Sequence, residues 1–387
     1  MNEFETRWPI IATMAIFFLQ PLTMGAWFAL IPHVKETLGL SKAELAFALL
    51  GSPIAMLLAL QVAGRVVSLF GPRRLVMIGV PLQALVTLTF LIVGSGPALF
   101  AVLMLFGAAV GFNEIAINVY SGRLEKMTGR NIMNRCHDFW SLGLMTGAGA
   151  VSLFAFVPLI GVLTVIAVAA SVLALAVAWS LPRIAERSEA SPALRRRLRE
   201  LPPALLFISC FMLATTLVEG AMVDWAAVYL AERLGGVEAS AGIAVTVFSG
   251  FVAFGRFGGD WLKTRLGAVR LARATTVIAI VGLAFLVMPL PVSFAMVGFA
   301  LIGFGISTAF PLGVSAAAEL GDEHEAGNIA VMSTVALSGF LVGPPIIGVL
   351  AEMWSLSTAF VVLVPGLILA LWLARFLTPA SRTDSPA

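Results

Sequence analysis

Twelve stretches of about 20 apolar residues, separated by short breaks rich in Gly, Pro and Arg, fill almost the whole chain. A backbone in hydrocarbon has no water to bond, so it must satisfy its own N–H and C=O groups. Segments of this length do so as membrane-spanning helices. The expected spans are 8–31, 44–69, 73–93, 97–121, 138–157, 160–181, 204–230, 240–262, 271–289, 292–316, 327–350 and 356–376. Sixty per cent of the residues are hydrophobic and only 12% charged. That excludes an ordinary soluble domain, where about a quarter carry charge. MNEFETRW runs directly into the first stretch without a signal-peptide cleavage site, so Trp8 is expected to open a span.

Twelve spans put both termini on one side of a membrane. That side carries Arg65, Arg73, Arg74, Arg123, Lys126, Arg130 and Arg135, the arginines between 183 and 199, and Lys263, Arg265, Arg270 and Arg273. The other has Lys35, Lys42 and Arg233. Because cytoplasmic loops collect Lys and Arg, both termini are expected in the cytoplasm of a cell whose inner membrane holds the chain. The net charge of +3 then reflects topology, and nucleic acid is not an expected partner. Cys136 and Cys210 lack metal-ligand spacing and read as unpaired small hydrophobes.

The longest break contains the run Arg195–Arg199, which is either a headgroup-facing linker or a docking site for a soluble partner. It divides the chain into an N-terminal bundle (1–181), a cytoplasmic linker (182–203) and a C-terminal bundle (204–387). The halves repeat. GFNEIAINVYSGRLE ends at Glu125 and GISTAFPLGVSAAAE at Glu319; Asn131-Ile132 parallels Asn328-Ile329, and Ser141 parallels Ser338. Two facing bundles with a site between them are expected from such a duplication.

The loop between spans two and three, Gly64-Arg65-Val66-Val67-Ser68-Leu69-Phe70-Gly71-Pro72-Arg73-Arg74, resembles the G-x-L-A-D-R-x-G-R-R signature of the major facilitator superfamily. Ser68 stands where that signature has Asp, which calls the usual cytoplasmic latch into question here. The cognate loop, Gly255-Arg256-Phe257-Gly258-Gly259-Asp260, keeps the acid. Arg256 and Asp260 are therefore expected to be structural or gating. Gly111 to Asn118 (GFNEIAIN), His137 to Gly147 (HDFWSLGLMTG) and Gly339 to Pro345 (GFLVGPP) look like the fucose-permease-like branch. That resemblance implies a secondary transporter of sugar- or polyol-like solutes, coupled to protons through a carboxylate in the fourth span. It also implies an architecture able to work as a monomer. The fifth span has Gly143, Gly147 and Gly149 but no proline, unlike the Gly-Pro motif of drug/proton antiporters.

A carboxylate in a membrane helix costs about 2.5–3.5 kcal/mol on the lenient insertion scale, so Glu114 and Glu219 point to work rather than packing. Low dielectric disfavours the charged form of a carboxylate, which suits both to proton coupling. Asn118 shares the Glu114 face, about 40° away, and Asn113 lies about 100° around. The repeat puts Thr308 opposite Glu114, so the acid belongs to one half only. Glu219 and Asp224 are about 140° apart on span seven, which an unbroken helix is not expected to aim at one point. Trp225 is either a sugar-stacking ring or an interface anchor. Gln20, Met24 and Trp27 form one stripe on span one, beside Pro21, suited to a hydroxylated ligand or to packing alike. His137 and Asp138 are expected at the cytoplasmic edge of span five as a gate, or else as a solvated helix start, with Trp140 just inside.

Solute contacts are thus expected from Gln20, Trp27, Asn113, Asn118, Trp140, Asp224 and Trp225. With histidine only at 33, 137 and 324, and no HExxH, CxxC, Walker loop or nucleophile elbow, no enzyme, metal or cofactor is expected. The expected partners are a small-molecule solute, protons and membrane lipid. Two rivals stay open: an exporter of drugs or metabolites, and a transport-inactive membrane receptor.

Overall fold

The computed structural model describes residues 3–184, 201–235, 241–320 and 325–378, so Arg195–Arg199 and most of the linker lie outside the described residues. The architecture is all-α, and the described residues contain no strand. Its helices are α1 (Glu3–Thr37), α2 (Lys42–Leu49), α3 (Gly51–Phe70), α4 (Pro72–Thr89), α5 (Gly96–Thr128), α6 (Met133–Leu153), α7 (Leu159–Ser180), α8 (Pro203–Arg233), α9 (Ile243–Leu266), α10 (Ala268–Val287), α11 (Val292–Ile306), α12 (Ala309–Ala318), α13 (Glu325–Met353), α14 (Leu356–Ala359) and α15 (Leu363–Leu373).

They make twelve passes, because α2 with α3, α11 with α12, and α14 with α15 are single spans interrupted by one feature. Proline lacks an N–H, and its ring crowds the carbonyl four residues earlier. Pro53, Pro311 and Pro365 each stand four residues after such an interruption, at Leu49-Leu50, at Ser307 and in the 3-10 turn over Phe360–Val362. Pro21, Pro81, Pro344 and Pro345 stay inside continuous helices.

Nine of the passes are apolar and long enough to be recognised as spans on that ground alone. The other three, α4, α6 and α9, hold the polar groups that the interior needs: Gln83, His137 with Asp138, and Arg256.

In the first half α1 packs on α6, α3 on α5 and α4 on α7; in the second α8 packs on α13, α9 on α11 and α10 on α15. Small residues allow these close approaches. A Cβ on Gly147 would lie 1.9 Å from Leu22 O, and one on Gly143 2.1 Å from Phe18 O. Their counterparts Gly339 and Gly343 face Thr216 and Leu217 of α8. Likewise Gly107 sits against the Ser52 carbonyl and Gly303 against that of Phe248. These glycine counterparts all differ by 196 in number, so the repeat in the sequence is a repeat in packing.

The signature loops also match each other. Gly71 and Gly267, at φ 75° and 77°, end α3 and α9, a conformation that side chains with a Cβ rarely adopt. Arg73 donates from Nε to the Ala178 carbonyl at 2.8 Å and from its guanidinium to that of Trp179, capping the C-terminus of α7. Ser68 turns back on its own helix, donating to Arg65 O at 2.8 Å.

The halves meet along α6 and α9 and, at the end bearing Lys42, through α2 against α13. There the Lys42 amide donates to Glu352 Oε2 at 2.8 Å, and Lys42 Nζ lies 3.0 Å from Glu232 Oε1 and 3.5 Å from Ala351 O. A carboxylate from one half thus caps a helix N-terminus of the other. Ser41 and Glu44 complete that end with a reciprocal capping box.

Candidate central site

A cavity of about 230 Å³ lies between the halves. Met24, Trp27, Glu114, His137, Trp140 and Ser141 come to it from the first half; Thr216, Glu219, Asp224, Phe248, Ser249 and Arg256 come from the second.

Glu114 is held from two helices. One turn further along α5, the Asn118 amide donates to Glu114 O at 2.8 Å and to Glu114 Oε2 at 3.3 Å. From α6, the Trp140 indole donates to Glu114 Oε1 at 2.8 Å. Both carboxylate oxygens therefore have donors, and neither donor carries a formal charge. Such a site accommodates an acid in either protonation state, because the indole can still donate to the carbonyl oxygen of a neutral carboxyl and the amide can turn its oxygen to accept the O–H.

Arg256 joins three elements. Its guanidinium lies 3.6 Å from Glu219 Oε1 on α8, donates to Ser141 Oγ on α6 at 2.6 Å, and donates from Nε to Ser307 O at 3.4 Å. The Ser307 carbonyl is the one that Pro311 leaves without its helical donor. Arg256 and Asp260 share a face of α9 one turn apart, yet the Arg256 side chain turns to Glu219, Ser141 and Ser307. Asp260 instead accepts from Asn134 of α6 at 3.4 Å.

Arg256→Met is expected to destabilise the protein by about 3 kcal/mol, because it strands Glu219 and an unsatisfied carbonyl. Adding Glu219→Gln should recover part of that loss. Thermal unfolding of the two single variants and the double variant measures the coupling, and strictly additive losses would contradict the pairing.

Several residues expected near a solute are placed elsewhere. Gln20 and Asn113 are fully buried behind the cavity wall with Gln83, a residue the sequence reading did not single out. Gln20 Nε2 donates to Gln83 Oε1 at 3.0 Å, Asn113 Nδ2 to the same oxygen at 2.9 Å, and Gln83 Nε2 to Thr23 Oγ1 at 2.7 Å. These amides tie α1, α4 and α5 together. A lone Gln inside span three was the available signal, since a buried amide requires partners.

Trp225 is fully buried, with its ring beside Gly348 of α13. Asn118 reaches the cavity only through Glu114, while Met24 and Trp27 line it. Trp27 stacks on Phe90 with centroids 3.9 Å apart.

Glu219 and Asp224 both line the cavity despite their angular separation, since it wraps around α8 near their depth. His137 and Asp138 are not at a solvated helix start. The Glu125 carboxylate accepts from the Ile132 and Met133 amides at 2.6 and 2.8 Å, so α6 begins earlier. His137 lies inside it, edge-on to Phe17 at 5.3 Å, and Asp138 is buried.

Two pseudo-equivalent bundles with a cavity between them, its wall largely apolar but carrying Glu114, Glu219, Asp224 and Arg256, give the architecture of a multi-pass membrane transporter. The sequence profile described as Major Facilitator Superfamily matches residues 13–330 and 208–387, and the chain belongs to that family, whose members are transporters rather than enzymes. An uncharacterized MFS-type transporter of Yersinia pestis is 31% identical over 90% of this chain and 91% of its own. Membrane protein MosC of Rhizobium meliloti is 29% identical over 93% and 88%. Among solved structures, a mutant of the nucleoside transporter NupG superposes with TM-score 0.77 at 17% identity, covering 96% of this chain and all of its own. The E. coli fucose:proton symporter FucP does so with 0.64 at 16%, over 96% and 98%. At such identities these two likenesses speak to fold alone.

Proposed function

We propose that the chain is a proton-coupled secondary transporter of a small polar, hydroxylated solute, working by alternating access. The observation that carries this reading is Glu114, an acid in the cavity between the halves, held by Trp140 and Asn118 with no paired cation among the described residues. Bundles over 1–181 and 204–387 rock about the cavity, joined by the linker 182–203. Both termini lie in the cytoplasm, and a monomer in the inner membrane is the working unit. Glu114 takes up and releases the proton. Glu219 with Arg256 forms a second charged station that can open or close as the halves move. His137, Asp138 and Asp260 gate the basic end.

A solute of sugar or polyol size suits the volume, because drug-sized ligands occupy pockets of about 300–1,000 Å³. The volume favours a small solute over large amphipathic compounds, and the largely apolar wall favours one that also presents an apolar face. Structural neighbours named as nucleoside and fucose carriers agree with a hydroxylated solute.

The test is uptake of radiolabelled sugars, polyols and their amino derivatives into proteoliposomes under an imposed proton gradient. Accumulation above equilibrium that a protonophore abolishes is expected. Equilibration indifferent to the gradient would refute the coupling.

Closure at the Lys42 end has its own test. In a chain with Cys136 and Cys210 replaced, a cysteine introduced as Ser52→Cys on the cavity wall reports access. Glu352→Ala should speed its labelling by an impermeant thiol reagent several-fold. Unchanged labelling would remove Lys42 and Glu352 from the gate.

A further inference from the structure

Three acids reach the cavity, and their surroundings differ. Glu114 has the Trp140 and Asn118 donors, and Glu219 has Arg256. Asp224, about 7.5 Å further along α8 by helical rise, has no hydrogen bond or ion pair among the described residues. Arg256 is also the one Lys or Arg side chain on the wall among the described residues. A free carboxylate facing a largely apolar cavity is costly unless it takes up a proton or meets a cation brought into that space.

A second group points the same way. Ser249 is 3% exposed and lines the cavity, yet its hydroxyl has no partner. Other helical hydroxyls nearby, those of Ser141, Ser152 and Thr246, each donate to the carbonyl four residues back. The cavity wall also carries aromatic side chains, among them Trp27, Phe28, Phe248 and Phe340. Aromatic faces attract cations most strongly where water is excluded.

We propose that the transported solute carries a protonated amine, that Asp224 accepts its N–H groups, and that Ser249 bonds a neighbouring hydroxyl. The inference rests on the reading of the cavity as the solute site and narrows that solute from a neutral polyol to a hydroxylated amine. Sugars without nitrogen leave Asp224 unmatched. Acids would meet three carboxylates against one guanidinium. An amine supplies both the missing charge and up to three donors.

The experiment uses the purified full chain and matched sets of small solutes: glucose, glucosamine and glucuronate; glycerol, aminopropanediol and glycerate; ethylene glycol, ethanolamine and glycolate. Thermal unfolding in titrations of each gives an apparent affinity. The amine of at least one set is expected to stabilise the protein where its neutral and acidic partners do not. Asp224→Asn should weaken that effect at least tenfold, and Asp224→Glu should retain part of it. Ser249→Ala should weaken the more heavily hydroxylated amines selectively.

Stabilisation by no amine, equal stabilisation by the neutral members, or an amine effect unchanged in Asp224→Asn would overturn the assignment. Binding is read without a proton gradient, so a failure here is distinct from a failure of coupling. Proton-driven uptake of a neutral sugar would leave the transporter standing and remove the amine.

Discussion

Glu114→Gln is expected to abolish accumulation of solute against its gradient while leaving exchange of labelled for unlabelled solute close to the wild-type rate. The substitution keeps the shape of the side chain and an oxygen for the Trp140 indole, whose bond to Glu114 is 2.8 Å. It removes the ability to bind and release a proton, together with the 3.3 Å bond from the Asn118 amide. Uphill transport requires that step, whereas exchange requires only that the loaded cavity face each side in turn. Proteoliposomes loaded with buffer of higher pH measure the first process, and preloaded liposomes without a gradient measure the second. Uphill accumulation surviving in Glu114→Gln would transfer the proton to another acid, with Glu219 the next to substitute. Loss of both activities would make Glu114 a packing or solute-binding group instead.

The second large effect is on folding. Gly147→Ala is expected to destabilise the protein by about 3 kcal/mol or more, because the added methyl meets backbone rather than a side chain that can turn away. Its Cβ would stand 1.9 Å from Leu22 O and 2.8 Å from Leu22 C, so α1 and α6 would have to separate. The counterpart Gly343→Ala should be milder, since the nearest atom there is Leu217 O at 3.3 Å. Gly64→Ala, in the signature loop, should leave stability unchanged or raise it by up to about 1 kcal/mol, because nothing lies within 4 Å and alanine favours helix. Thermal unfolding in detergent orders the three. Equal stability of Gly147→Ala and Gly64→Ala would deny that the α1–α6 approach holds the first half together.

The fold was largely legible because the bilayer restricts the choices: apolar stretches become spans, and a repeat near 195 residues becomes two similar bundles. Hydropathy alone is weakest at α4, α6 and α9, where Gln83, His137, Asp138 and Arg256 dilute the apolar signal for the sake of the interior.

The site was legible less evenly. Glu114 with Asn118 could be paired from helical spacing, whereas Trp140 was expected just inside the cytoplasmic edge of span five and not as the Glu114 donor. Periodicity says which residues share a face, but not whether that face meets the cavity or another helix. Gln20 and Asn113 therefore read as solute contacts, although Gln83 draws them into an interhelical amide cluster. Trp225 reads as a stacking ring, although Gly348 opens a slot for it in the core. The partner of Arg256 was hidden for another reason. The Arg256 contact with Ser307 depends on Pro311 releasing a carbonyl some fifty residues away, while those with Glu219 and Ser141 come from other helices.

The central claim is that the Glu114 carboxyl exchanges its proton with water through the cavity between the bundles. Infrared difference spectroscopy of the protein in lipid, titrated from acid to alkaline pH with and without solute, observes that carboxyl itself. The account predicts a protonated-carboxyl carbonyl band that disappears on titration, shifts when solute binds, and is missing from Glu114→Gln. A spectrum in which no pH-dependent carboxyl band is lost on that substitution would contradict it.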